Sequence, residues 1–167
     1  MNKSELQNEL NKFRDYVIKE SQNNLRKLGK DGGKLYDSIE GRVKANANSF
    51  EMEFSMEEYG IYQDKGVSGK YKKYKTDFKY TTKMPPSKAF DKWIVRKGLA
   101  PRKNGKFASR KSLSFAIARS VYNNGIKPSL FFTKPFDKAY KKLPNDLVEA
   151  FGLDAIKLFN ESIYLVK

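Results

Sequence analysis

The chain has 167 residues, 34 lysines and arginines against 19 acids for a net charge of +15, 23 aromatic residues, and neither cysteine nor histidine. The missing cysteine and histidine exclude disulfides, thiol nucleophiles, Cys/His zinc sites and histidine acid–base chemistry, and the aromatic content argues against a disordered chain. The length suits one domain with a real core. No apolar run approaches the roughly 20 residues of a membrane span, and the N-terminus lacks the apolar core of a signal peptide, so a soluble protein made in a cytoplasm is expected.

The charge is pooled. Residues 1–64 hold 10 bases and 12 acids, residues 65–136 hold 19 bases against Asp77 and Asp91 alone, and residues 137–167 hold 5 of each. A charge serving only solubility would be spread evenly. A block this lopsided points to a polyanion or an acidic neighbour.

In chain order, Ser4 to Leu28 reads as a long amphipathic helix. Leu6, Leu10, Phe13, Val17, Leu25 and Leu28 recur at three- and four-residue steps, with Ser21 at the missing step, Ser4 as N-cap and Gly29 as stop. Lys30 to Gly33 is a turn, and the chain alternates through Gly41–Ala45. After a turn at Asn46–Ser49, Phe50, Met52, Phe54 and Met56 alternate strictly with polar residues, the mark of a half-buried strand. The two strands form a hairpin whose apolar face covers the first helix. Glu57 to Gly69 breaks the alternation, returns Tyr59, Ile61 and Tyr62 to the core, and lacks the regular carboxylate spacing of a calcium loop.

From Val67 to Lys83, Lys70, Lys72, Lys73 and Lys75 interleave with Tyr71, Tyr74 and Phe78. Two readings stand side by side: a phosphate-contacting arm whose rings stack on bases, or an extended loop whose rings pack on a neighbour while its lysines stay solvated. Pro85-Pro86 punctuates, and Lys88–Lys97 is a short helix with Phe90, Trp93 and Ile94 inward. Gly98 to Ser112 reads as a mobile basic loop carrying Arg102, Lys103, Lys106, Arg110 and Lys111.

Leu113 to Tyr140 is the densest apolar block. Ser112 or Ser114 caps a helix with Leu113, Phe115, Ile117, Ala118, Val121 and Tyr122 on a broad apolar face, ended by Gly125 and Pro128. After Phe131-Phe132, Thr133 or Lys134 opens a second helix with Pro135 in its first turn. The rest of the chain is expected to pack on this block, or to dock on it from another subunit. Pro144 to Ser162 is a last helix weakened at Gly152, and Ile163–Val166 an apolar tail that docks on this chain or another.

The chain shows no nucleophile elbow, P-loop, dinucleotide glycine pattern or paired carboxylates on a recognisable scaffold, so no catalytic residue, metal or cofactor is assigned. A metal nuclease would need acids beside the basic block and would rely on Asp64, Asp77 or Asp91.

Three stretches, Asp31–Val43 (DGGKLYDSIEGRV), Tyr59–Gly69 (YGIYQDKGVSG) and Phe132–Tyr140 (FTKPFDKAY), together resemble the head–tail connector, or tail-completion (minor tail), proteins of tailed bacteriophages. The order along the chain also agrees. The long span between the second and third stretches, which holds most of the basic charge, and the additional C-terminal helix depart from that family. The resemblance implies an α+β subunit of a homo-oligomeric ring in the virion neck, beside other neck, portal or tail-tube proteins, with genome DNA passing through and no catalytic residues. The expected fold is a single α+β domain: a long N-terminal helix on a small antiparallel sheet, a basic insertion at 66–112, and a C-terminal helix and tail at 143–167. Lys70, Lys72, Lys73, Lys75, Arg102, Lys103, Lys106, Arg110 and Lys111 are then the contacts to DNA or an acidic partner. Tyr71, Tyr74, Phe78, Trp93, Phe131 and Phe132 are the subunit contacts. The alternative is a free, sequence-independent nucleic-acid-binding protein.

Overall fold

The computed structural model describes residues 3–46, 49–100, 102–103, 106–150 and 155–166. The fold is α+β, and its contacts separate into two compact units, Met1–Asp64 with Leu130–Lys167, and Lys65–Ser129. The elements begin with α1 (Lys3–Lys27), α2 (Lys34–Asp37), the strands β1 (Glu40–Ala45) and β2 (Phe50–Glu57), and α3 (Gly60–Lys65). A 3-10 turn (Ser87–Phe90) leads into α4 (Asp91–Arg96), the short strands β3 (Arg102–Lys103) and β4 (Lys106–Phe107), and α5 (Arg110–Asn124). The chain ends with α6 (Thr133–Tyr140), α7 (Asn145–Ala150), α8 (Ala155–Ser162) and β5 (Ile163–Val166).

In the first unit the helical stripe does what its spacing predicts: Leu6, Leu10, Phe13, Val17, Ser21 and Leu25 are all buried. Leu28 is not part of it and stands about half exposed, because the helix ends first. Gly29, at φ +64°, closes the helix as its left-handed C-terminal residue. Its N–H donates to the Arg26 carbonyl and the Lys30 N–H to that of Leu25, the paired bonds of a Schellman motif.

β1 and β2 pair antiparallel from Glu40 opposite Ser55 to Ala45 opposite Phe50. Met52, Phe54 and Met56 turn inward, while Arg42 opposite Glu53 and Lys44 opposite Glu51 set opposite charges together on the outer face. The free edge of β1 is plugged by a side chain. The Gln7 amide accepts from the Ala45 N–H at 2.7 Å and donates to the Val43 carbonyl at 3.1 Å, replacing the strand that would otherwise pair there. The tail docks on its own chain: β5 pairs with the second half of β2, Phe54 opposite Ile163, and runs parallel to it, so the three-stranded sheet is mixed.

The core behind the sheet is a cluster of rings. Phe54 meets Phe132 at 5.3 Å between centroids, Phe136 meets Phe13 at 5.2 Å and Phe159 at 5.1 Å, all edge to face, the arrangement that aromatic quadrupoles favour. Phe131, Phe132 and Phe136 are at most 1% exposed. Of the expected terminal helix, α7 and α8 are described, and Leu147, Leu158 and Phe159 face the core; Gly152 lies outside the described residues.

The second unit extends beyond the expected insertion at 66–112, to Ser129, because α5 packs on the 3-10 turn and α4. The block Leu113–Tyr140 is therefore divided: its first helix serves the second unit and its second helix the first. Small residues, Ser114 and Ala118, form the buried face of α5. Among the described residues of this unit the buried apolar side chains are Val67, Ile94 and Ala118, so its core is thin.

Candidate polyanion interface

The lysine–tyrosine segment is a tied loop rather than a free arm, and Ser68 ties it. The Ser68 hydroxyl accepts from the Tyr74 N–H at 3.0 Å and donates to the Tyr74 carbonyl at 3.1 Å. Its backbone N–H donates to Phe78, and its carbonyl accepts from Tyr80. On the other side Val67 pairs with Ile126 across an antiparallel bridge. Two glycines make this approach feasible. A Cβ at Gly69 would stand 2.4 Å from the Asn123 carbonyl oxygen, and one at Gly125, where φ is +71°, 2.1 Å from that of Val67.

The loop then covers the C-terminus of α5. Lys70 N–H donates to the Tyr122 carbonyl, and Tyr71 and Lys72 N–H donate to that of Asn123, carbonyls that a helix end leaves without intrahelical donors. Lysines gathered at this end also suit the negative pole of the helix dipole. Tyr71 is 72% exposed, with the Lys70 ammonium 5.4 Å from its ring centre, and Lys72 sits 5.7 Å from that of Tyr74. The Lys73 ammonium is drawn back to the Gly69 carbonyl at 2.8 Å. Tyr74 and Phe78 are half-buried. Tyr80 lies against Tyr122 at 6.2 Å, and burial raises its phenol above the ordinary range.

At the opposite end of α5 stands a second basic group. Ser109, not Ser112 or Ser114, is the N-cap, accepting from the Ser112 N–H. The expected loop before it contains the short antiparallel pair of β3 and β4, with Lys103 opposite Lys106 and Arg102 opposite Phe107. The Arg102 guanidinium lies 4.6 Å from the Phe107 ring centre. Arg110 makes a long ion pair with Asp91, 3.5 Å, with both partners well exposed, and Lys111 is exposed in the same first turn. Fifteen helical residues separate the two groups by about 20 Å. The predicted cations thus form two clusters, not one patch. Within the unit 18 bases face two acids.

Some predicted positions move. Phe131 and Phe132 are not subunit contacts: both are sealed in the ring cluster of the first unit. Tyr59 and Tyr62 are exposed rather than core; burial at that turn goes to Gly60, where a Cβ would meet the Met56 sulfur and a Leu35 methyl, and to Asp64. Trp93 is exposed while its neighbour Ile94 is buried. Phe115, expected on the apolar face of its helix, is 52% exposed.

Asp64, one of the three acids a nuclease would rely on, is 1% exposed and its carboxylate is taken up by hydrogen bonds within the chain. Its Oδ1 accepts from the N–H groups of Phe132 and Thr133 at 2.8 and 3.1 Å, and its Oδ2 accepts from the Thr133 hydroxyl. It caps α6 from 68 residues away, so Tyr59–Gly69 and Phe132–Tyr140, two of the stretches that carry the family resemblance, meet at this carboxylate. Among the described residues no three acidic side chains gather as a metal site would require, and no helix is long and apolar enough to cross a membrane. Comparison with models of protein families, with curated proteins and with solved structures finds no match to this chain.

Proposed function

We propose that this protein is a structural subunit of a tailed-phage virion, assembled as a ring at the head–tail junction around the path of the DNA. The observation that carries this is the segregation of charge into one unit: residues 65–129 hold 18 bases against Asp77 and Asp91, a net +16, while the remainder is nearly neutral. Self-association concentrates such a charge instead of cancelling it, since each copy still brings +15. An assembly of these subunits is therefore favoured only around an external polyanion or against an acidic neighbour. Phosphates of duplex DNA meet that need without base-specific contacts, and a ring makes many weak contacts effectively intramolecular. Two of the stretches behind the family resemblance meet where Asp64 of α3 accepts from the N–H groups at the start of α6.

A mass-spectrometric inventory of purified particles from the phage that encodes the chain tests this. The expected result is a protein present at the few copies of a single ring. Absence from mature particles would overturn it. A monomer that binds DNA with steep salt dependence yet is missing from particles would favour the second reading, a free nucleic-acid-binding protein, which the same charge segregation supports.

A further inference from the structure

The outward face of α5 carries a pattern that phosphate binding does not explain. Lys111, Phe115 and Arg119 recur every four residues and are all exposed, so they form one row along the helix. Beside it run Ser112, Ala116 and Ser120, also exposed and all small, which leaves room next to the Phe115 ring. Among the described residues neither Lys111 nor Arg119 has a carboxylate partner, and Phe115 makes no ring contact. Just ahead of the helix the pattern repeats: Phe107 is 65% exposed under the Arg102 guanidinium.

A duplex backbone would answer these cations but leave both rings in water. Aromatic and arginine side chains dominate the centres of protein–protein contacts, and this part of the unit supplies both, Phe115 in one row with Arg119 and Phe107 beneath Arg102. A second copy of this chain is a poor occupant, since its matching unit is equally positive. We infer that the α5 face is the docking surface for an acidic protein segment bearing apolar anchors, with its carboxylates on Lys111, Arg119 and Arg102 and an apolar side chain against Phe115. This depends on the charge and exposure of the second unit, not on the virion assignment.

The test uses the full chain and three probes at physiological salt: a helical peptide alternating glutamates with leucines four residues apart, an oligoglutamate of equal charge, and a short DNA duplex. The leucine-bearing peptide is expected to bind about tenfold tighter than oligoglutamate. Phe115→Ala should remove that advantage while leaving oligoglutamate binding within about twofold. Lys111→Gln with Arg119→Gln should weaken both peptides. Equal binding of the two peptides, or a Phe115→Ala variant that behaves as the parent, would overturn the inference. So would self-association that hides Phe115, or a duplex whose binding alone depends on Phe115.

Discussion

Asp64 and Ser21 are both buried polar residues, and they differ in what they satisfy. Asp64 serves two backbone N–H groups and a hydroxyl, so truncation strands two donors at the start of α6. Asp64→Ala is expected to cost about 3 kcal/mol, with Asp64→Asn costing less because one oxygen remains. Urea unfolding followed by circular dichroism measures it; unchanged stability would mean the carboxylate is not structural. Ser21 is 0% exposed, and its hydroxyl has no partner among the described residues. Ser21→Ala should therefore be neutral or stabilising by up to about 1 kcal/mol. A clear loss of stability in the same assay would show that the hydroxyl is bonded.

Glycines show how the elements of the second unit are joined. Gly98 and Gly125 share a left-handed φ, near +60° and +71°, but a Cβ at Gly98 meets open space whereas one at Gly125 meets backbone of Val67, Ser68 and Gly69. Gly98→Ala should cost about 1 kcal/mol, the conformational strain alone. Gly125→Ala should cost more than about 3 kcal/mol, because the loop can no longer close on the helix. Trp93, the single tryptophan and a member of this unit, reports the difference by fluorescence during urea unfolding. Equal costs would contradict the close approach. The sequence discloses the elements whose signals are local. The stripe from Leu6 to Leu25, the alternation from Phe50 to Met56 and the stop at Gly29 all lie within a few turns of chain. Contacts made at a distance are silent in it. Nothing near Thr133 announces that its cap is Asp64, and nothing near Ile163 announces a parallel partner in β2. Phe115 misleads because helical periodicity cannot say which side of a broad apolar face is covered, and in α5 the small residues Ser114 and Ala118 win the buried side.

At the scale of the molecule two units solve different problems. The first buries a cluster of phenylalanines behind a mixed sheet and is nearly neutral. The second buries little, carries +16 and displays Tyr71, Trp93, Phe107 and Phe115, features suited to partners outside the chain. Both facts about charge were legible in composition; the division of the Leu113–Tyr140 block was not, because it depends on which surface each helix finds. If the cations of the second unit exist to meet an external polyanion, their position must matter and not merely their number. The salt dependence of binding to a DNA duplex measures this directly. Replacing Lys70, Lys72 and Lys75 with glutamine is predicted to reduce the slope of log affinity against log salt by about 2–3. Replacing three lysines of the first unit, Lys19, Lys27 and Lys44, should leave it nearly unchanged. Equal losses from the two triple variants would show that only net charge matters and would contradict the account.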